Sequence, residues 1–384
     1  MTSLYRSLIF LLSTATIQVQ AIKWDLEGIK GGYHQQQPEL QRPTLQADSP
    51  SVRPRLVCPT CMTPEESKPY LLIQKNDEHR RFFEEEDMYF KSEYRSVRRL
   101  GQGSFGIVHL AIKKSSGLEV VYKAIKKKNV SLYTLESSPP PECHSTEIPA
   151  LYGKHAGARC MSPRPHNLLL PPEIKVQEYL SQPGYGSPSV PVVIDYIVRE
   201  NEYILVMEYS GEDWVSLDKY MTKHGKFSVD KARLIIKEVI TALLSLKKLG
   251  VLHGDIAGQN ILYNDKTGNV KLIDFGVSEP LEEGNQDSSG SGSSEDESYF
   301  WNIEKSDMND IGKLMYYLLT SKDPFKDKTI SRGGVAKKLR NSLDDPESQS
   351  AIDAVDLVAI LLEKKSSKMT SLEDILDHSF FKRQ

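Results

Sequence analysis

No apolar run in this sequence approaches the roughly 18 residues that a membrane-spanning helix needs, so no span is expected. Cysteine is scarce: Cys58, Cys61, Cys143 and Cys160 are the four among 384 residues. The even count permits disulfides in an exported chain without deciding which cysteines pair. Cys58-Pro-Thr-Cys61 has the spacing of half a zinc site, but no second close cysteine pair or histidine pair completes it. Neither sign of charge dominates, and a net charge of -3 gives no general reason to expect a nucleic-acid partner. What is present is ordinary for a soluble protein, 39% hydrophobic and 26% charged, in a chain long enough for two lobes and a large core.

Arg6 precedes the apolar run Leu8-Ile9-Phe10-Leu11-Leu12, and small residues follow toward Val19-Gln20-Ala21. A basic start, a short apolar centre and a small-residue exit form the pattern of a secretory signal. Residues 1–21 are therefore set aside from the fold, and a secreted protein is expected; without that signal the chain would be cytoplasmic. Asn129-Val130-Ser131 is a glycosylation acceptor in an exported chain and a chance tripeptide otherwise. Residues 22–88 carry Gly31-Gly32, a glutamine run, scattered prolines and the charged stretch Glu78 to Asp87, with weak periodicity. A disordered linker is expected there.

From Tyr94 the pattern becomes that of strands, and Gly101-Gln102-Gly103-Ser104-Phe105-Gly106 lies between two of them. A dinucleotide-binding turn shares this glycine spacing but continues into a helix, whereas here Ile107-Val108 continue a strand. Such a turn lets backbone N–H groups approach phosphates without interference from a Cβ. The next strand, Leu118 to Lys127, offers Lys123 and Lys126, each after apolar residues and each able to grip a phosphate. A period of two places them on opposite faces. A segment rich in Pro, Ser and His over about 132–167 reads as a surface insertion. After it, Pro171-Pro172-Glu173 opens a helix in which Val176 and Leu180 share the face of Glu173. That phase points Glu173 inward as a partner for the strand lysine and leaves Glu178 out of phase.

The densest chemistry runs from Val251 to Gly276. A helix over 228–249 leads into it, capped by Ser228, striped with Ile235, Val239, Ala242, Leu243 and Leu246, and stopped by Gly250. The stretch places Asp255 in a loop, Asn260 shortly after it, and Asp274 beyond an apolar strand. One carboxylate beside a hydroxyl nucleophile, with an amide and a second carboxylate for a cation, is the minimum for moving a phosphoryl group.

Glycine loop, strand lysine, His-x-Asp loop and Asp-Phe-Gly follow the order found in protein kinases. From about Tyr89 to Phe381 the sequence resembles that family in its eukaryotic serine/threonine form. The resemblance implies an α+β, bilobal fold: a β-rich N-lobe over 89–206 with one regulatory helix, a hinge at 207–211 and a larger, mainly helical C-lobe over 212–384. It further implies ATP and Mg²⁺ as cofactors, a protein substrate and a monomer. Family spacing favours Lys123 over Lys126 as the phosphate-gripping residue, paired with Glu173. Leu100, Gly101, Gly103, Ser104, Phe105, Gly106, Val108 and Val121 would enclose the nucleotide. Met207 would border adenine, and the backbones of Glu208 and Tyr209 would bond it. Asp255 would serve as base, Asn260 and Asp274 would hold Mg²⁺, and His253 would pack beneath the loop. Asp307 matches the family's buried aspartate, and Thr370 to Phe381 its last helix.

Three departures qualify the resemblance. Gly254 stands where the family usually has the arginine that pairs with a phosphorylated activation loop, so activation by that route is not expected. Ala257 stands where serine/threonine kinases place a cation, and losing one preorganised donor typically costs about 10²–10³ in rate. After Gly276 there is no Ala-Pro-Glu; a serine-rich acidic run over 285–298 is expected as a disordered loop, and Met369 stands at the position of the arginine that would pair with the missing glutamate. Two alternatives follow: a pseudokinase that binds nucleotide or a partner, and a small-molecule kinase of the aminoglycoside or choline type, suggested by His-Gly-Asp and the absent docking motif.

Overall fold

The computed structural model describes residues 61–103, 106–136, 164–182, 186–280, 294–325, 334–363, 369 and 371–382. All of them belong to one unit, Ala47–Gln384. The expected signal segment, most of the linker, Ser104, Phe105, most of the insertion, the run 285–293, and Cys58, Cys143 and Cys160 lie outside the described residues.

Residues 61–88, expected within a linker, are mostly helical instead. Helix α1 (Pro64–Ile73) opens on a capping box in which Thr63 and Glu66 satisfy each other's backbone N–H groups. Asn76 caps α2 (Asp77–Glu93) by accepting the His79 N–H at 2.8 Å. The charged run concealed this helix because its apolar face is narrow. Phe82, Phe83 and Glu86 are buried on it, and burial of two phenylalanines outweighs the poor apolar content of the rest.

Strands β1 (Tyr94–Gln102), β2 (Ile107–Lys113) and β3 (Leu118–Lys126) form consecutive antiparallel pairs. The short pair β4 (Thr134–Leu135) and β5 (Leu169–Leu170) closes the neck from which the insertion emerges, and helix α3 (Pro172–Leu180) follows at once. Strands β6 (Val193–Val198) and β7 (Glu202–Glu208) complete a five-stranded sheet in the order β1-β2-β3-β7-β6. Within β3, Val120 and Tyr122 fill one buried cluster beneath α2 and β1, while Lys123 points the other way. Lys126, in the opposite phase, is exposed.

The second lobe begins with β8 (Trp214–Ser216), α4 (Leu217–His224) and α5 (Val229–Lys248). Ser228 caps α5, its apolar stripe is wholly buried, and Gly250 takes φ 77° just beyond its end. Strand β9 (Val251–Leu252) then leads into the loop carrying Asp255, and β10 (Ile261–Asn264) and β11 (Val270–Leu272) form the hairpin that carries the chain to Asp274. Strand β12 (Glu279–Pro280) returns to pair with β9. Helix α6 (Ser294–Thr320) begins inside the serine–acidic run expected as a loop; a polar opening is no bar to a helix whose later turns bury Ile311, Leu314 and Met315. Helices α7 (Val335–Arg340) and α8 (Gln349–Glu363) follow, then α9 (Leu372–Leu376) and α10 (Ser379–Lys382) where one final helix was expected. The break comes at His378, whose Nδ1 accepts the Phe380 N–H at 3.2 Å. Met369 packs against the apolar core of this lobe. Among the described residues no helix is long and apolar enough to cross a membrane.

Candidate active site

Lys123 is held by geometry as well as charge. The register of β3 with β7 sets it opposite Leu205 on the face toward α3, where its Nζ lies 2.5 Å from Glu173 Oε1 and 2.8 Å from Asp274 Oδ1. Both members of the first pair are nearly inaccessible, at 7% and 5% side-chain exposure. Burial opposes charge on the lysine, but the two carboxylates outweigh it and hold its pKa above the ordinary value. Burial likewise pushes Glu173 up against the pull of Lys123. Glu178, the alternative on α3, turns instead to Lys175 at 3.1 Å.

The loop after β9 is fixed from below by α6. Both oxygens of Asp307 accept backbone N–H groups, from His253 at 3.2 Å and Gly254 at 2.8 Å. Burial pushes the Asp307 carboxyl up to about 7 despite those two donors. The His253 ring is buried beside Phe275 and pushed down to about 4, again by burial, so it is neutral near pH 7. Its Nδ1 accepts the Asp255 N–H at 3.3 Å, which assigns the ring proton to Nε2, 3.2 Å from the Ile273 carbonyl. One uncharged imidazole thus ties the Asp255 loop to the strand before Asp274. Asn260 donates its amide N–H groups to Asp255 Oδ2 at 2.7 Å and to the Asp255 carbonyl at 3.0 Å. That commitment turns the amide oxygen over to other partners. Asp274 sits at φ 70°, a conformation costly for a residue with a side chain and kept here by Lys123 on one side and buried Phe275 on the other.

The residues fit Mg²⁺ with a nucleotide. An amide oxygen from Asn260 and a carboxylate from Asp274 are the hard oxygen donors that Mg²⁺ takes, alongside phosphate oxygens rather than a full protein cage. The glycine loop hangs over this point. A Cβ on Gly103 would lie 3.7 Å from Asp274 Oδ2, and one on Gly106 would meet the Ala124 carbonyl at 2.4 Å. Only glycine lets the loop descend so closely onto β3. Leu100, Val108 and Val121 are half-buried on the surrounding strands. At the hinge the Glu208 N–H is taken by the Val192 carbonyl at 2.9 Å. Met207 and Tyr209, on either side, are half-buried. Lys271 on β11 fixes the hinge from the second lobe, at 2.5 Å from Glu208 Oε1 and 3.1 Å from Ser210 Oγ. Sequence reasoning missed Lys271, because its partner is remote in the chain and no spacing rule links them.

The departures have a structural setting. Gly254 adopts φ 79°, and a Cβ there would lie 2.7 Å from the Val277 carbonyl. The chain returning to form β12 occupies the space into which an arginine side chain would start, so glycine is required by the path of the backbone as well as by its twist. Ala257 borders a cavity of about 940 Å³ beside Asp255, walled by Asp218, Gly258, Asp310, Lys313 and Tyr317. Its one nearby cation on α6, Lys313, is engaged with Asp310 at 2.7 Å.

The family model described as a protein kinase domain matches residues 170–381. Calcium-dependent protein kinase 4 of Plasmodium berghei is 26% identical over 313 residues, which cover 78% of this chain and 52% of that one. Carbon catabolite-derepressing protein kinase of Candida tropicalis is 25% identical over 296 residues, covering 76% of this chain and 41% of the other. The chain therefore spans about half the length of these curated relatives or less. A five-stranded sheet with one pinned helix, set over a helical lobe with the Asp255 loop between them, is the bilobal α+β architecture of such domains. With more than half of its length matched by that model, the chain belongs to the protein kinase family.

Proposed function

We propose that this protein transfers the γ-phosphoryl group of ATP to serine or threonine hydroxyls of a protein. One observation carries the reading: Lys123 is buried between Glu173 and Asp274 while Asn260 holds Asp255, so four separate chain segments converge with complementary chemistry. Bound Mg²⁺–ATP supplies the transferable group and the charge that the two metal-side residues offset. Lys123 grips the phosphates and is kept in place by Glu173. Asp255 orients the acceptor hydroxyl and takes its proton, with Asn260 holding the carboxylate toward the cleft. His253 carries no proton in this scheme; it fixes the loop. Glu208 and Tyr209 bond the base through their backbones.

The preference for serine and threonine is supported by the overall resemblance alone, because Ala257 removes the usual discriminating side chain. Gly254 and Ala257 favour a second reading, a nucleotide-binding pseudokinase. Labelled ATP, Mg²⁺ and a mixed protein acceptor, followed by phosphoamino-acid analysis, distinguish the two. Label on serine and threonine, absent with Asp255→Asn, is the expected result. Nucleotide binding without transfer to any protein, with the wild type matching the variant, would overturn the proposal; label on small alcohols alone would select a small-molecule kinase.

A further inference from the structure

Besides its contacts with the sheet, helix α3 is fastened by parts of the chain that belong to neither the sheet nor the Asp255 loop. Glu173 reaches Lys123, and the next residue, Ile174, is fully buried in one apolar cluster with Phe82 and Phe83 of α2 and with Leu168 and Leu170 just before the helix. Gln74, at the end of α1, donates to the Asn167 carbonyl at 3.2 Å. Asn167 holds φ 61°, so this bond braces the bend that turns the chain into β5 and α3. Met62 and Tyr133 exchange backbone hydrogen bonds of 2.7 and 3.0 Å, which ties the start of the N-terminal segment to the strand entering the insertion.

A second fastening lies at the neck of the insertion. Glu136 before it and Arg164 after it form an ion pair, with Arg164 Nη1 3.1 Å from both carboxylate oxygens and side-chain exposure of 2% and 3%. Tyr196 donates to the same carboxylate and lies 4.0 Å beneath the guanidinium. Lys175 of α3 completes the group at 3.4 Å from Glu136. A buried pair of this kind tolerates loss of either partner poorly, so it fixes the neck and the outer side of α3 together.

We propose that residues 61–93, together with the Glu136–Arg164 neck, are the positioning element that keeps α3 in the lysine-paired state, in place of activation-segment control. Gly254 leaves the Asp255 loop without the cation through which a phosphorylated segment would act, and the N-terminal helices and neck hold the same helix without it. The proposal rests on the kinase reading only where it concerns catalysis; its structural half stands apart from that reading.

The test uses the full chain and amide exchange read by mass spectrometry. In Phe82→Ala/Phe83→Ala, exchange over 172–180 is expected to speed up about tenfold or more while 229–248 stays unchanged, as local opening requires. Phosphoryl transfer should fall with a raised KM for ATP, and Phe82→Leu/Phe83→Leu should recover most of both. Met88→Ser, on the exposed side of α2, should change neither, and an equal effect from it would count against the proposal. Unchanged exchange over 172–180, or the same acceleration in both helices, would overturn it. Should the double alanine variant not fold, Gln74→Ala decides: faster exchange over 164–180 against a steady 229–248 supports the proposal, and no difference overturns it. Should the wild type transfer no phosphate, the functional reading fails while the exchange contrast still judges this one.

Discussion

The two sides of the cleft differ in how their residues are held. On the phosphate side each functional group is fixed by another: Lys123 by Glu173 and Asp274, Asp255 by Asn260, and the loop between them by Asp307 and a neutral His253. On the acceptor side a small residue, Ala257, faces a wide cavity, and the nearest cation on α6 is already paired. On the proposed reading, charge that develops during transfer is met by braced groups on the phosphate side, whereas the cations at the cavity wall, Lys313, Lys322 and Lys338, come from elements outside the Asp255 loop. On that reading the half that would bind phosphate and metal is fully braced, while the half that would select the acceptor has no cation at Ala257.

Breaking the complete side should give the largest effect. Asp255→Asn is expected to lower the transfer rate by about 10²–10⁴, the usual worth of a positioned general base, with nucleotide affinity unchanged in a fluorescence titration. An equal fall in affinity would mean that the residue shapes the fold rather than the reaction. Adding to the open side should work in the other direction. Ala257→Lys places a cation beside Asp255, and a rise in kcat of about 10²–10³ is the expected upper range for one restored donor. An unchanged kcat would show that the open side does not limit the rate.

Gly254→Arg probes whether the missing arginine could return. Its left-handed φ costs a side-chain-bearing residue roughly 1–2 kcal/mol, and contact with the Val277 carbonyl adds to that. The denaturation midpoint should drop accordingly, and an unaltered midpoint would contradict the account of the β9–β12 pairing.

The last effect is one of pH. His253 titrates near 4 when folded and near 6.5 when unfolded. Unfolding thus takes up a proton between those values. Its contribution to stability is complete above about 6.5 and is lost as pH falls toward 4, with a slope of at most about 1.4 kcal/mol per pH unit. Asp307, raised to about 7, works in the opposite direction, so the comparison is made with His253→Gln, which keeps Asp307. A difference in midpoint between the two proteins that does not vary from pH 7 to pH 4 would refute the neutral-ring assignment.

Local pattern and long-range contact account for what could be read without coordinates. Lys123, Asp255, Asn260 and Asp274 lie in short motifs whose chemistry is visible from neighbouring residues. Helical phase alone separated Glu173 from Glu178 across a long insertion. Helix α2 was hidden because charge outnumbers its two buried phenylalanines, and their partners Ile125, Ile174 and Tyr203 are scattered through the lobe. Glu136 and Arg164 sit at opposite ends of a stretch with little pattern, so nothing local joins them. The role of Gly254 depends on β12 pairing with β9, a register visible only when both strands are placed. The final helix breaks because a side chain, His378, captures a backbone N–H, which periodicity does not detect.

The most direct measurement is single-turnover transfer from ATP, followed by rapid quench as Mg²⁺ is titrated, with wild type, Asp255→Asn and Asp274→Asn side by side. A complete phosphate side predicts a Mg²⁺-dependent phase in the wild type, a slow phase with unchanged Mg²⁺ dependence in Asp255→Asn, and a shift to much higher Mg²⁺ in Asp274→Asn. The same slow or absent phase in all three proteins, at every Mg²⁺ concentration, would contradict it.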